Sequence, residues 1–174
     1  MLSKLSNIAE KLTSLRNILF AMAVIVAINL LFPVVFKGLE GRIPDTRIWY
    51  NSEKVYGILE SFSQNEKKQY TKGILLLDYI YPLAYALLLI MLLKRVKSAN
   101  IFLLFPMAAA IFDFLENTSI LIMVKQLPAK LSLLGNLSGY FTLAKWASVA
   151  VAVSAIVLHF FKNLIVSYRK KHHG

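Results

Sequence analysis

Four long apolar blocks dominate the sequence, and they span residues 18–36, 74–93, 101–124 and 139–161. Each block has about the 20 residues that an α-helix needs to cross roughly 30 Å of hydrocarbon. The apolar residues run continuously through each block, whereas a soluble helix would carry them as a stripe on one face. The sequence therefore predicts an all-α membrane protein, a bundle of four transmembrane helices.

The chain of 174 residues forms a single membrane domain, 1–174. The basic residues before the first block resemble the start of a signal peptide, but the block is longer than a signal core. No small-x-small cleavage site follows Phe36, so we expect the first crossing to be retained. Residues 37–73 are predicted to form an outer loop, and residues 162–174 a basic C-terminal tail.

The formal net charge of +11 comes from basic residues that cluster beside the apolar blocks. Anionic lipid headgroups are the expected partner of such residues, and nucleic acid is not. The segments on the side of the termini hold ten Lys or Arg and one acid, against nine and five on the opposite side. The positive-inside rule then places both termini in the cytoplasm, and we expect a bacterial cytoplasmic membrane.

The outer loop contains an amphipathic pattern. Its apolar residues recur at helical spacing, at Val55, Ile58, Leu59 and Phe62. We expect this helix to lie on the outer membrane surface, with nearby aromatic rings at headgroup level. Those rings belong to Trp49, Tyr50 and Tyr56.

Caps and turns mark the ends of the predicted helices. Ser63 and Glu66 form a capping-box pattern, which predicts a helix that begins there and continues into the second crossing. Pro128 and Gly135 indicate turns between the third and fourth crossings.

Four charged side chains lie inside the apolar blocks. Counting from the outer end of each helix puts Asp78 roughly 6 Å deep, Glu116 and Lys145 roughly 9 to 10 Å, and Asp113 roughly 15 Å. A charge at the centre of a membrane helix costs at least about 2.5 to 3.5 kcal/mol, so we expect these groups to face the interior of the bundle.

Helical spacing also groups the polar residues by face, since Asp113, Glu116 and Asn117 stand at i, i+3 and i+4. Asp113 and Glu116 are candidates for acid–base chemistry, and Lys145 for stabilising negative charge, with Asp78 beside them. The ligand-binding candidates are Asn117, Tyr81, Tyr85, Thr142, Trp146 and Asn29.

Three carboxyl groups face one ammonium group at this level, which would leave two uncompensated negative charges if all were ionised. Either some carboxyls hold protons or a cation occupies the site. The chain has no cysteine, and His159 is far from the carboxylates, so we expect no metal and no cofactor.

Three functions remain open. The first is a pocket that binds a lipid or amphiphilic small molecule. One form of this hypothesis is that the protein also transforms the bound molecule. The second is a membrane assembly or scaffold protein whose ion pairs fix helix pairing, with itself in a homo-oligomer or with another membrane protein. The third is proton- or cation-coupled transport, for which intramembrane carboxylates are common relay groups.

Two short motifs carry a resemblance to known proteins. They read Asp-Tyr-x-x-Pro-x-x-Tyr, at Asp78, Tyr79, Pro82 and Tyr85, and Asp-x-x-Glu-Asn, at Asp113, Glu116 and Asn117. This pairing resembles uncharacterised bacterial four-helix integral membrane proteins. In layout the chain is also similar to the emopamil-binding-protein (EXPERA) superfamily, which implies a membrane-embedded pocket for sterol-like or cationic amphiphilic ligands. The isomerases of that superfamily use a pocket histidine that this sequence lacks, so the resemblance does not carry their reaction.

Overall fold

The computed structural model describes the backbone of residues 2–173, and the side chains from residue 6 to residue 169 apart from residues 8 and 45. The basic side chains of residues 4, 170 and 171, counted above toward the orientation, lie outside this part. Helices make up 83% of the structure, and the described residues contain no strand. The prediction of an all-α bundle is confirmed.

Seven α-helices follow one another along the described residues 2–173. They are α1 (Leu2–Leu12), α2 (Leu15–Val35), α3 (Ser52–Ser61), α4 (Gln64–Gly73), α5 (Tyr81–Arg95), α6 (Leu104–Gln126) and α7 (Ser132–His173). Short 3₁₀ turns lie at Pro44–Thr46 and Asn100–Leu103, and a π-helical turn at Ile74–Asp78 connects α4 to α5.

In the part of the chain that the structure describes, four helical segments are long and apolar enough to cross a membrane, as predicted. They are Leu15–Val35, Gln64–Arg95, Asn100–Gln126 and Ser132–Arg169. The chain is therefore a multi-pass membrane protein. The second segment begins at the capping box, where Ser63 and Glu66 cap each other's backbone, as the sequence predicts.

The fourth membrane helix begins earlier than expected, at Ser132, so the turn predicted at Gly135 is wrong. Gly135 and Gly139 instead let the outer loop touch the helix backbone. A Cβ atom at Gly139 would lie 1.7 Å from the carbonyl oxygen of Tyr50, and one at Gly135 would lie 2.8 Å from the Ser52 hydroxyl oxygen. Two glycines four residues apart thus allow residues 50–52 to pack closely against the backbone of α7.

The predicted helix in the outer loop exists as α3, and its Val55 and Leu59 are fully buried. Its aromatic neighbours do not lie where the sequence suggests. Tyr50 and Tyr56 are 0% and 1% exposed, because α3 packs against α7 and encloses both rings in protein. Of the three rings expected at headgroup level, only that of Trp49 is exposed.

Helix α1 was not predicted, because its basic residues were interpreted only as the flank of the first crossing. It packs against the end of α5, where the Lys94 ammonium donates to the Ser6 hydroxyl at 2.8 Å and pairs with Glu10 at 2.7 Å. The amide of Asn163 on α7 donates to the Val96 carbonyl at this same end. The N-terminal helix and the last turns of α7 therefore lie at one end of the bundle.

Helix packing leaves one side of the bundle open. Helices α6 and α7 form the most extensive pair, and α5 packs on α6. Helix α2 packs along α5 but makes no comparable contact with α7. Helices α2 and α7 are therefore set apart, and we expect the space between them to face the bilayer.

Candidate functional site

An ion pair inside the bundle joins α6 to α7. The Lys145 ammonium donates to the Glu116 carboxylate at 2.7 Å and to Asp113 at 3.3 Å. Glu116 is 0% exposed, and Asp113 and Lys145 are each 7% exposed as whole residues. The helical spacing of Asp113 and Glu116 lets both face the same lysine, as the sequence predicts.

Glu116 is held by further hydrogen bonds at its other oxygen. The hydroxyls of Thr142 and Tyr50 donate to that oxygen at 2.5 Å and 3.1 Å. The Tyr50 hydroxyl also lies 2.7 Å from the hydroxyl of Ser138. Such charge-assisted bonds compensate a carboxylate for the loss of water. Tyr50 was not among the predicted site residues, because only the contact of the outer loop with Gly139 brings it here.

Asp78 and Asn117 meet through the backbone. In a regular helix the Asp78 carbonyl would accept a hydrogen bond from the backbone nitrogen of residue 82, but Pro82 has no N–H. The side-chain amide of Asn117 donates to this carbonyl instead, at 2.8 Å. The Asp-x-x-Glu-Asn motif therefore supplies, through Asn117, the hydrogen-bond donor that Pro82 removes from the Asp-Tyr-x-x-Pro-x-x-Tyr motif.

A cavity of about 760 Å³ lies beside the ion pair, between α2, α5 and α7. Along α2 it extends from Ile25 to the C-cap residue Phe36, a rise of about 16 Å. Its wall is formed by Ile25, Asn29, Phe32, Pro33, Phe36, Glu40, Gly41, Ile43, Thr46, Asp78, Tyr81, Tyr85, Leu88, Leu89, Asp113, Lys145, Trp146 and Val149. This volume falls within the range of about 300 to 1,000 Å³ that is typical of small-molecule pockets.

The predicted site residues divide into two groups. Seven line the cavity, namely Asn29, Asp78, Tyr81, Tyr85, Asp113, Lys145 and Trp146. Glu116, Asn117 and Thr142 are buried behind this wall and do not line it. Their contacts give them supporting roles: Glu116 holds Lys145, Thr142 holds Glu116, and Asn117 holds the backbone of Asp78.

Hydrogen bonds fix several of the lining side chains. The Tyr85 hydroxyl donates to Asp113 at 3.1 Å, and the Asn29 amide donates to the Tyr81 hydroxyl at 3.3 Å. The Trp146 indole N–H donates to the carbonyl of Arg47 in the outer loop, at 3.2 Å. This last bond ties to α7 the loop whose residues Ile43 and Thr46 line the cavity.

The cavity wall is mostly apolar. Its charged side chains are Glu40, which is exposed in the loop after α2, and a membrane-level group of Asp78, Asp113 and Lys145. Asp78 and Asp113 supply two carboxyl groups there, and Lys145 supplies one ammonium group whose shorter contact is with Glu116. The described residues contain no group of three His, Cys, Asp or Glu that could hold a metal ion. The arrangement suits a molecule with a hydrocarbon body and one polar end.

Comparison of the chain with protein-family models, with curated proteins and with solved structures found no match. The residues of the site therefore carry the functional argument.

The buried ion pair predicts a large stability effect. We expect Lys145→Met to lower the free energy of unfolding in detergent by about 3 to 5 kcal/mol, because two carboxylates lose their buried counter-charge. Adding Glu116→Gln should recover most of this loss. Lys130→Met breaks a surface pair with Glu60 and should cost at most about 1 kcal/mol. Equal melting temperatures for Lys145→Met and wild type would contradict the account.

The bond between Asn117 and the backbone predicts a specific rescue. Asn117→Leu should destabilise the protein by about 1 to 3 kcal/mol, because the Asp78 carbonyl loses its donor. Pro82→Ala restores a backbone N–H, so the double variant should be more stable than Asn117→Leu alone. Thermal unfolding of the four proteins in a double-mutant cycle measures this coupling. Strictly additive effects would show that Asn117 acts in another way.

Proposed function

We propose that the protein binds a lipid or an amphiphilic small molecule in the intramembrane cavity between α2, α5 and α7. The observation that carries the proposal is a cavity with a long apolar wall and a buried charged cluster, Asp113 and Lys145, in that wall. In the orientation predicted from the positive-inside rule, the cavity opens toward the outer leaflet of a bacterial cytoplasmic membrane and both termini are cytoplasmic.

The apolar part of the wall suits a hydrocarbon chain or ring system. Phe32 of α2, Phe36 directly after α2, and Leu88 and Leu89 of α5 contribute to it. The gap between α2 and α7 offers a route from the bilayer, so the apolar part of a ligand need not pass through water. Lateral access favours a membrane-dissolved ligand over a water-soluble one.

The polar part of the wall suits the head of such a ligand. Asp113 and Asp78 offer acceptors at the cavity surface, and the Tyr81 hydroxyl, which accepts a bond from Asn29, still has its own proton to donate. If the ligand is transformed, Asp113 is the acid–base candidate best placed to reach it. Lys145 would then orient Asp113 and stabilise negative charge.

A structural role for the charges is the second candidate. The Lys145 ammonium contacts both neighbouring carboxylates, and both oxygens of Glu116 accept hydrogen bonds. Such a saturated pair can fix helix register without binding anything. A structural role accounts for the hydrogen bonds of Glu116 and Thr142, but it does not account for the cavity beside them.

The contacts do not favour proton or cation transport. Apolar side chains fill the described bundle between the charged cluster and the end that holds α1. Ile18, Ala21 and Met91 form one cluster there, and Leu93 and Ala152 belong to another. A relay needs polar groups or water on both sides of the cluster.

A cavity-filling variant tests the proposal. Val149 lines the cavity, whereas Val151, two residues further along α7, is exposed on its surface. Native mass spectrometry of wild type purified in mild detergent should detect about one retained amphiphile per chain. We expect Val149→Trp to lower retention about tenfold, equivalent to ~1.4 kcal/mol of binding free energy.

The matched control is Val151→Trp, which should retain the molecule as wild type does. Wild-type protein without any bound molecule, or equal retention by both variants, would contradict the pocket proposal.

A further inference from the structure

A second concave surface lies between α4 and the end of α6, at the end of the molecule that holds the outer loop. It is a groove of about 330 Å³, and it shares no lining residue with the larger cavity. Its wall is formed by Gln64, Lys67, Lys68, Thr71, Lys72 and Val124. Three ammonium groups, an amide and a hydroxyl thus surround the groove, with no acidic side chain among them.

The positive charge of the groove is not balanced within the described residues. The ion pairs among the described residues involve cations outside the groove, at Arg42, Lys94, Lys130 and Lys145. The acid of α4, Glu66, is already engaged by Arg42 and by the backbone of Ser63. Three like charges on adjacent turns of one helix repel one another unless an anion lies between them.

The groove is built on a fixed helix. The side-chain amide of Gln69 donates to the carbonyls of Val35 and Lys37, at 2.8 Å and 3.0 Å. Tyr70, one residue further along α4, is fully buried. These contacts hold α4 against the end of α2, so little backbone ordering is needed when an anion binds.

The groove continues into an apolar surface. Leu75 and Leu76 follow Lys72 by three and four residues and are 55% and 61% exposed. Residues at this spacing share a helix face, although the π-helical turn at Ile74–Asp78 rotates it slightly. A basic groove that leads directly onto exposed leucines fits a headgroup followed by acyl chains.

We infer that this groove binds the phosphate of an anionic phospholipid, whose acyl chains lie along Leu75 and Leu76. The lysines supply the charge, and Thr71 and Gln64 supply neutral donors to the phosphate oxygens. The apolar continuation favours a lipid phosphate over a free phosphate ester. The site is independent of the cavity proposal, because the two share no lining residue.

The experiment uses the full chain in nanodiscs of equal parts phosphatidylglycerol and phosphatidylcholine. Native mass spectrometry of the released protein counts the retained lipids of each kind. Wild type should retain phosphatidylglycerol preferentially. We expect this preference to fall about fivefold for each of Lys67, Lys68 and Lys72 that is changed to Gln. Changing all three to Arg should preserve it, because the charges remain.

A matched control removes three other exposed lysines at the same end of the molecule. Lys37→Gln, Lys54→Gln and Lys125→Gln together should leave the preference unchanged. Equal losses in the groove and control variants would overturn the inference, because only net charge would then matter. Binding of glycerol 3-phosphate in detergent as tightly as lipid would overturn the assignment to a phospholipid.

Discussion

The contact between Lys145 and Glu116 is the interaction on which the site depends. Removing an ammonium and a carboxylate from water is costly, and it is tolerated only when other donors complete their hydrogen bonds. Glu116 obtains those donors from Thr142 on the helix of Lys145 and from Tyr50 in the outer loop. The bond geometry therefore fixes α6, α7 and the loop together, and the cavity lies against this rigid wall.

The opposite wall of the cavity is built differently. Helix α2 packs along α5 through apolar contacts and lacks a comparable contact with α7. Its Asn29 reaches the cavity, where it bonds to Tyr81. Membrane helices gain little hydrophobic free energy from packing together, because lipid is equally apolar. Leaving α2 unpacked against α7 therefore costs little free energy. Such an arrangement would also suit exchange of a ligand with the bilayer.

The lengths of the apolar blocks were sufficient to predict the four crossings. Helical spacing and depth were sufficient to predict that Asp113, Glu116 and Lys145 converge. These features depend on length and spacing within single helices. The contribution of Tyr50 could not be predicted, because it depends on how the outer loop docks on Gly139. The same limit applies to the larger cavity, which arises from the missing contact between two helices. A helix pattern predicts which face is polar, but it does not predict how closely two helices approach.

The most direct test of the central claim is an experimental density map of the protein in lipid nanodiscs, at a resolution that shows side chains. The account predicts elongated density that runs from the gap between α2 and α7 to Asp113 and Lys145. An interior in which α2 packs against α7, with no cavity beside the ion pair, would contradict the account and leave the charges with a structural role alone.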